Sequence, residues 1–273
     1  MMKRYMFDRT IPVIFMFLAI VFAGTSCDRE PVDERPELPP VESLVMDFSG
    51  FNQQPGGQKS TAATYENFLH AYFSVLFWNA ATTVTFALPV AAYGYAHQQD
   101  PVYLGDHTWE WSFEFPWGDQ QYRAILTGIR LGNEDFSMEM VIAPVASPEA
   151  GVRWFDGVVR YDHTQATWNL YKEGSVKVIQ ADWNKDFVTE AADLTYTYVE
   201  EGHEQQGSYI MLEYSPEEFY DAAYTISLAD RITMIEWNTE TIEGRVMDPV
   251  RFQDSEWHCW APSDAGFADR VCE

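Results

Sequence analysis

A stretch of twenty-six residues, 71–96, carries no charged side chain. Glu66 and Asp100 are the nearest formal charges on its two sides. When the stretch is drawn as a helix, apolar residues occur on every face, and such a helix must be enclosed by protein or by lipid. At about 1.5 Å per residue it extends roughly 39 Å, which is long enough to span a bilayer. The hydrophobic pattern therefore predicts one long helix that lies either in a membrane or in a protein core.

Several features of this stretch favour a protein core. Asn79 and three threonines within 82–85 interrupt the apolar run, and no basic cluster flanks either end. Pro89 leaves one carbonyl of the preceding turn without its helical partner, which predicts a kink. The β-branched run 82–86 is typical of a strand and indicates, as an alternative, that the helix breaks early. We therefore expect a core helix that is kinked near Pro89, or else broken near Thr82.

From residue 107 onward the hydrophobic period changes to two. Within 108–115 the residues Trp109, Trp111, Phe113 and Phe115 alternate with polar ones, which predicts a strand with one buried and one solvated face. Ten further strands, with turn residues between them, are predicted at 122–131, 136–144, 152–161, 166–171, 176–183, 194–199, 208–214, 223–228, 232–237 and 242–247.

A sheet of this size must curl or split, and the apolar helix then fills its concave side. The predicted fold class is α+β, with a large curved antiparallel sheet, a half-barrel or open barrel, wrapped around one long N-terminal hydrophobic helix. This layout is similar to that of periplasmic lipoprotein-carrier half-barrels, and the similarity is one of architecture alone.

Residues 1–27 have the pattern of a targeting segment. Lys3 and Arg4 precede an apolar core at 10–22, and small residues lead into Cys27. The apolar core is shorter than the about 20 residues that a bilayer requires. The order resembles a bacterial lipobox, which implies that Cys27 is acylated and begins the mature protein. An ordinary secretory signal cleaved nearby is the alternative.

The region that follows the leader is predicted to be a tether. Residues 28–42 contain six acids and four prolines but only three apolar residues, too few to offset the entropy lost on ordering. A glycine- and glutamine-rich loop follows at 50–59. The expected organisation is a lipoprotein signal peptide at 1–27, a disordered acidic tether and loop at 28–59, and a single α+β domain at 60–273.

The net charge and the cysteine content limit the partners and the cellular compartment that this protein can have. The formal net charge of −25 repels phosphate backbones and anionic lipid surfaces, so we expect no nucleic acid partner. With Cys27 assigned to lipidation, Cys259 and Cys272 remain, and a chain destined for an oxidising compartment is expected to join them in a disulfide. Two free thiols or a metal pair are the alternative, for which only His258 is a nearby additional ligand.

A weak internal repeat links residues 179–186 with residues 233–240. Both copies have an acid, a tryptophan, an asparagine and a second acid at the end of a predicted strand, centred on Trp183 and Trp237. Oxygen side chains at alternate positions suit calcium, but no glycine or bidentate glutamate completes the loop. The favoured interpretation is that Asp and Asn form the turn while the tryptophan packs inward.

The local motifs of common enzyme classes are missing from the sequence. It contains no Gly-x-Ser-x-Gly elbow, no phosphate-binding loop and no Gly-x-Gly-x-x-Gly fingerprint. The six histidines show no metal-binding spacing, and the polar run 200–204 is more typical of a solvated hairpin loop than of a cation site. We therefore predict no enzymatic activity, no metal and no cofactor.

The C-terminal part carries a more specific pattern, which consists of Ile235, Trp237, Asn238, Gly244-Arg245-Val246, Asp248-Pro249, Phe252, Asp254, Trp257-His258-Cys259-Trp260 and Cys272. It resembles the closing motif of an uncharacterised lipoprotein family of Bacteroidota. The order of leader, acidic tether, apolar helix and strands is similar along the whole chain. Ala261 stands where that motif has an aspartate. The resemblance implies a location in the cell envelope and no activity.

Together these features predict a non-enzymatic protein that a lipid anchor holds to the outer membrane, its periplasmic or surface face undecided. Its expected partner, besides the membrane, is a lipid or other hydrophobic small molecule bound in a cleft between helix and sheet. The residues expected to line that cleft are Phe77, Trp78, Trp109, Trp111 and Phe113. One alternative is a surface glycan-binding module with Trp109, Trp117, Trp154, Trp168 and Trp257 exposed in a row. A purely structural lipoprotein is the other.

Overall fold

One antiparallel sheet dominates the computed structural model, which describes residues 35–51, 64–132, 134–172, 174–264 and 266–272. Within these residues fourteen strands pair in chain order, each with the next. They are β1 (Val102–Gly105), β2 (Thr108–Trp117), β3 (Gln120–Leu131), β4 (Asp135–Pro144), β5 (Val152–Arg160), β6 (Gln165–Lys172), β7 (Val176–Lys185), β8 (Ala192–Tyr198), β9 (Tyr209–Tyr214), β10 (Ala222–Leu228), β11 (Arg231–Trp237), β12 (Gly244–Met247), β13 (His258–Ser263) and β14 (Gly266–Arg270). The predicted antiparallel sheet is confirmed, and the sequence pattern misses only β1, β13 and β14.

The apolar stretch forms helix α1 (Glu66–Ala96), and this helix is bent. Its two pieces, Glu66–Thr83 and Thr85–Ala96, meet at an angle of 67°. The bend lies within the β-branched run, so it agrees with the expected alternative of a break near Thr82 and not with a kink near Pro89. The hydroxyls of Thr82 and Thr85 donate to the carbonyls four residues earlier, at 2.8 and 2.9 Å. Such bonds compete with the helical ladder and bend helices.

Among the described residues no single helix is long and apolar enough to cross a membrane, and the two pieces of α1 meet that criterion only when they are taken together.

Helix α1 contacts strands from both ends of the sheet. Near its start, Phe68 stacks on Phe267 of β14 with ring centroids 3.7 Å apart. The carboxylate of Asp269 accepts hydrogen bonds from the first amides of the helix, at 3.1 and 3.0 Å. Near its end, Tyr93 lies 5.9 Å from Trp168 of β6 and Tyr95 lies 5.4 Å from Phe115 of β2. A helix that touches β2, β6 and β14 requires the sheet to curve.

The prediction of a disordered tether and loop at 28–59 is wrong for the part that the structure describes. Residues 35–51 form an ordered segment in which Leu44, Met46 and Phe48 are buried. The hydroxyl of Tyr196 donates to the carbonyl of Leu44 at 2.6 Å and accepts from the amide of Met46 at 2.8 Å. Burial of these alternating apolar side chains offsets the cost of ordering the acidic segment.

The compact unit therefore begins at residue 35 rather than at the predicted residue 60. The signal peptide at 1–27, the lipidation site Cys27, and the remaining tether positions 28–34 and 52–59 lie outside the described residues.

The C-terminal strands are held by the predicted disulfide. Cys259 and Cys272 are joined by a bond of 2.11 Å, with their Cα atoms 5.3 Å apart. Cys259 belongs to β13, so the bond fixes the end of the chain beside that strand. A crosslink closing a loop of this size contributes roughly 3 kcal/mol in the chain-entropy model.

A buried carboxylate joins α1 to the C-terminal strands. Asp248 is fully buried and accepts hydrogen bonds from Thr233 Oγ1 at 2.9 Å and from Arg231 Nε at 2.6 Å. Nε2 of His70, on α1, lies 2.8 Å from the same carboxylate. Its other oxygen accepts from two amides of the short helix α2 (Pro249–Phe252) and caps it. We refer to His70, Arg231, Thr233 and Asp248 as the Asp248 cluster.

Candidate functional site

A cavity of about 680 Å³ lies at one end of the sheet, between the inner face of β7–β11 and the segment 35–51. Trp183 and Trp237 both contribute to its lining, and we call it the Trp cavity. Most of the wall is apolar, and it includes Val45 from the segment and Leu194 from β8. A concave site of this size and composition is typical of small-molecule binding.

The Trp cavity exists because small side chains interrupt one row of the sheet. Strand pairing places Ala192 beside Tyr214, Tyr214 beside Ala222, and Ala222 beside Trp237. The interior of a curved sheet is normally filled by large side chains. Here the two alanines leave space between the aromatic side chains, so the volume of the cavity depends on Ala192 and Ala222.

Packing fixes the two sides of the cavity relative to each other. The ring of Trp237 stacks on Tyr224 with centroids 4.9 Å apart, and the Tyr224 hydroxyl donates to the carbonyl of Asp47. The backbone at Gly50 approaches the indole so closely that an added Cβ would lie 3.0 Å from its Nε1 atom. The cavity is thus formed by buried groups that already hold one another in place.

The mouth of the Trp cavity is acidic. Glu42 and Asp47 contribute carboxylates to the lining, and Lys185 contributes the one ammonium group among its lining residues. Asp193 borders the cavity through β8, but its carboxylate lies on the opposite face of the sheet, beside Asn184. Nζ of Lys185 lies 2.9 Å from a carboxylate oxygen of Glu190, which offsets its charge. The arrangement is therefore an apolar chamber with a negatively charged rim.

A second cavity of about 310 Å³ lies between α1 and the sheet, and we call it the helix–sheet cleft. Phe77 and Trp78 line it from the helix, while Val178 and Ile179 line it from β7. It occupies the region where the sequence predicts a ligand, although its volume is about half that of the Trp cavity.

The rim of the helix–sheet cleft is polar. The hydroxyl of Tyr198 donates to a carboxylate oxygen of Glu200 at 2.6 Å, and the ring of His203 lies 4.7 Å from that of Tyr198. Burial and the hydrogen bond to Glu200 raise the pKa of Tyr198 to about 12. The phenol is therefore protonated at neutral pH and acts as a hydrogen-bond donor.

The five residues predicted to bind a ligand are not all brought together. Phe77 and Trp78 line the helix–sheet cleft, where Phe77 is half exposed and Trp78 is buried. Trp109, Trp111 and Phe113 of β2 are buried in the core and line neither of the two cavities. Their inward orientation follows from the period-two pattern, but neither the Trp cavity nor the helix–sheet cleft reaches their rings.

Two of the five tryptophans that were expected to form an exposed row on a glycan-binding surface are not exposed. Trp109 and Trp168 are buried in the core. Trp117 is 40% exposed, while Trp154 and Trp257 are half-buried. The ring of Trp257 is covered on one side by the guanidinium of Arg245, whose Cζ atom is 4.3 Å from the ring centroid.

Sequence reasoning did not identify Trp183 and Trp237, the two tryptophans of the internal repeat, as candidate site residues. The repeat shows the turn arrangement rather than a calcium loop, because Asp186 accepts from the amide of Val188 at 2.7 Å and Asn238 accepts from that of Thr241 at 2.8 Å. Among the described residues no group of three or more His, Cys, Asp or Glu is placed to hold a metal ion. Trp183 and Trp237 point inward as expected. The internal repeat was the sequence feature that could have identified them as a pair lining one cavity.

The Trp cavity and the helix–sheet cleft are two cavities among the described residues from which a ligand site can be inferred. The chain matches no protein-family model, no curated protein and no solved structure.

Proposed function

We propose that this protein is a non-enzymatic binding protein that takes an apolar small molecule into the Trp cavity. The observation that carries this proposal is a chamber of about 680 Å³ with a largely apolar wall. Ligand pockets in proteins have volumes of about 300 to 1,000 Å³ and combine apolar walls with few polar groups. Each methylene group of a ligand that leaves water for such a wall contributes about 0.8 kcal/mol.

The architecture supports this proposal by presenting the chamber already formed. In the proposed arrangement the sheet is a half-barrel whose concave side holds α1 and the segment 35–51, and the Trp cavity is the part of that side left unfilled. Trp237 is fixed by Tyr224, so little side-chain entropy is lost when a ligand enters.

The leader supports a cellular setting for this activity. The small residues before Cys27 favour lipidation at that cysteine and attachment to the outer membrane of the cell envelope. A lipid-anchored protein with an apolar chamber suits the binding of hydrophobic molecules near that membrane. Metabolic labelling with a palmitate analogue tests the anchor, and we expect label in the intact chain and none in Cys27→Ser.

The binding proposal is tested by filling the cavity. Ala222→Phe places a ring in the space beside Trp237, and we expect at least a tenfold loss of affinity for the neutral fluorescent probe N-phenyl-1-naphthylamine. Ala223→Phe is the matched control, because its side chain leaves the same strand on the opposite face and does not line the cavity. Saturable probe fluorescence is measured in detergent-free buffer. Equal probe binding by both variants would contradict the proposal.

A further pair of variants separates the Trp cavity from the helix–sheet cleft. Ala81 lines the cleft and its neighbour Ala80 does not, although both are exposed on α1. If the probe occupies the Trp cavity, Ala81→Trp and Ala80→Trp leave its affinity unchanged. A selective loss in Ala81→Trp assigns the ligand to the cleft instead.

A further inference from the structure

The charges around the Trp cavity are unequal. Two carboxylates, those of Glu42 and Asp47, line it together with the single ammonium group of Lys185. Lys185 is not available to a ligand as a free cation, because its Nζ atom donates to the carbonyl of Glu190 and pairs with the carboxylate of the same residue, both at 2.9 Å. The field at the mouth is therefore set by the carboxylates.

The two carboxylates at this mouth belong to exposed residues of the segment 35–51. Asp47 accepts from the amide and the hydroxyl of Ser49, at 2.7 and 2.9 Å. Glu42 is exposed and has no hydrogen bond or ion pair to any residue that the structure describes. A ligand head group at this mouth meets fixed negative charge and one unpaired carboxylate.

The aromatic rings in the wall of the Trp cavity also favour a positively charged ligand. Trp183 and Trp237 line the chamber, with Phe187 and Tyr214 nearer the solvent. The negative faces of aromatic rings attract cations, most strongly those of tryptophan, and aromatic rings are the usual surroundings of quaternary ammonium groups. A fatty-acid carboxylate at the same place would be repelled by the rim and would find no free cation among the lining residues.

We infer that the ligand of the Trp cavity is an amphiphile with a cationic head group, whose apolar tail occupies the chamber while its head lies beside Glu42 and Asp47. This inference rests on the proposed function, because it assumes that the chamber takes an apolar tail. It adds the charge class of the ligand and excludes simple fatty acids.

The inference is tested with three probes that share one tail, decyltrimethylammonium, decanol and decanoate. Each competes with N-phenyl-1-naphthylamine for the purified protein at low ionic strength and below its micelle concentration. We expect decyltrimethylammonium to bind about tenfold more tightly than decanoate, with decanol between them. The ratio between the two ions should fall in 0.5 M NaCl, because salt screens charges at an exposed mouth.

Variants locate the preference at the mouth. Glu42→Gln and Asp47→Asn each remove one rim charge, and we expect each to lower the ratio of the two ion affinities about threefold. Glu149→Gln removes the same charge from the exposed turn between β4 and β5, and it should leave the ratio unchanged. Ala222→Phe keeps every rim carboxylate but blocks the chamber, so it should abolish competition by all three probes.

The outcomes separate this inference from the function on which it rests. If decanoate binds as tightly as decyltrimethylammonium, the cationic head group is wrong and the apolar chamber stands. If Glu149→Gln lowers the ratio as much as Glu42→Gln, the preference belongs to the net charge of −25 and not to this site. If no probe competes, or if Ala222→Phe leaves competition intact, the proposed function itself is wrong.

Discussion

At the scale of single residues, two glycines make room for tryptophans on neighbouring strands. Gly244 pairs with Trp260, and Gly157 pairs with Trp168. A Cβ built on Gly244 would meet the ring of Trp260 and would lie 2.6 Å from the carbonyl oxygen of Glu236. Trp260 is fully buried and donates through Nε1 to the carbonyl of Ile242 at 3.0 Å, so its ring has a fixed position.

Gly244→Ala is therefore expected to destabilise the protein. Either the Trp260 ring or the backbone of β11 must move, and overpacking of this kind costs about 1 to 3 kcal/mol. The control is Gly94→Ala on α1, where nothing lies within 4 Å of the added methyl group. That change should be neutral or stabilising by up to about 1 kcal/mol, because alanine is the better helix former. Urea unfolding curves of the two variants measure this difference in stability, and equal midpoints would contradict the packing argument.

Single residues also show where sequence reasoning reaches its limit. The alternation of Trp109, Trp111 and Phe113 fixes which way they point, and all three are buried as the pattern requires. Whether a buried ring borders a space depends on the residue beside it on the next strand. Trp237 borders a cavity because Ala222 is its partner, and cross-strand register is a property of the folded sheet rather than of a local pattern.

At the scale of elements, the Asp248 cluster connects α1, β11 and α2. Burial alone would raise the pKa of Asp248, but the hydrogen bonds from Arg231, the α2 amides, His70 and Thr233 outweigh it and hold the pKa at about 2. Because the native pKa lies below the ordinary value of 3.8, the group stabilises the fold above that pH and loses this contribution as the pH falls toward 2. The contribution at neutral pH is about 2 kcal/mol.

Asp248→Asn tests this linkage. The variant should be about 2 to 3 kcal/mol less stable at pH 7, since the hydrogen bonds from Arg231 and its neighbours to a charged, buried carboxylate are lost. The difference in free energy of unfolding between wild type and variant should shrink by about 2 kcal/mol from pH 5 to pH 2. Glu149→Asn is a control on an exposed turn and should track the wild type. If Asp248→Asn does not fold, NMR titration of the wild-type carboxyl gives its pKa directly, and an ordinary pKa would contradict the cluster.

The same scale shows why the helix was only partly predictable. Residues 71–96 do form α-helix, but two local features compete to bend it, and the sequence offers both. The hydroxyls of Thr82 and Thr85 bond to carbonyls within the first candidate region, and the bend lies there. Pro89 is accommodated within the second piece. The outcome depends on packing, because the second piece carries Tyr93 into the core beside Trp168.

At the scale of the whole molecule, the fold joins parts that sequence reasoning had assigned to different regions. Composition assigns 28–59 to a tether because acids and prolines dominate as far as Glu42. The alternating residues Leu44, Met46 and Phe48 begin just after that point, and their partners lie about 150 positions away at Tyr196. The strands, by contrast, are predictable because their period repeats locally over more than a hundred residues.

The whole-molecule consequence is that the segment 35–51 unfolds together with the sheet. Leu44 is 1% exposed, so Leu44→Ala should lower the free energy of unfolding by about 2 to 5 kcal/mol. Leu104→Ala makes the same chemical change on β1, where the side chain is 57% exposed, and should cost less than about 0.5 kcal/mol. Urea unfolding followed by circular dichroism and tryptophan fluorescence gives both values.

Because the segment also forms a wall of the Trp cavity, Leu44→Ala should weaken probe binding while Leu104→Ala leaves it intact. Equal stability of the two variants would mean that the segment rests on the sheet without belonging to its cooperative unit, and the cavity would then lack a fixed wall.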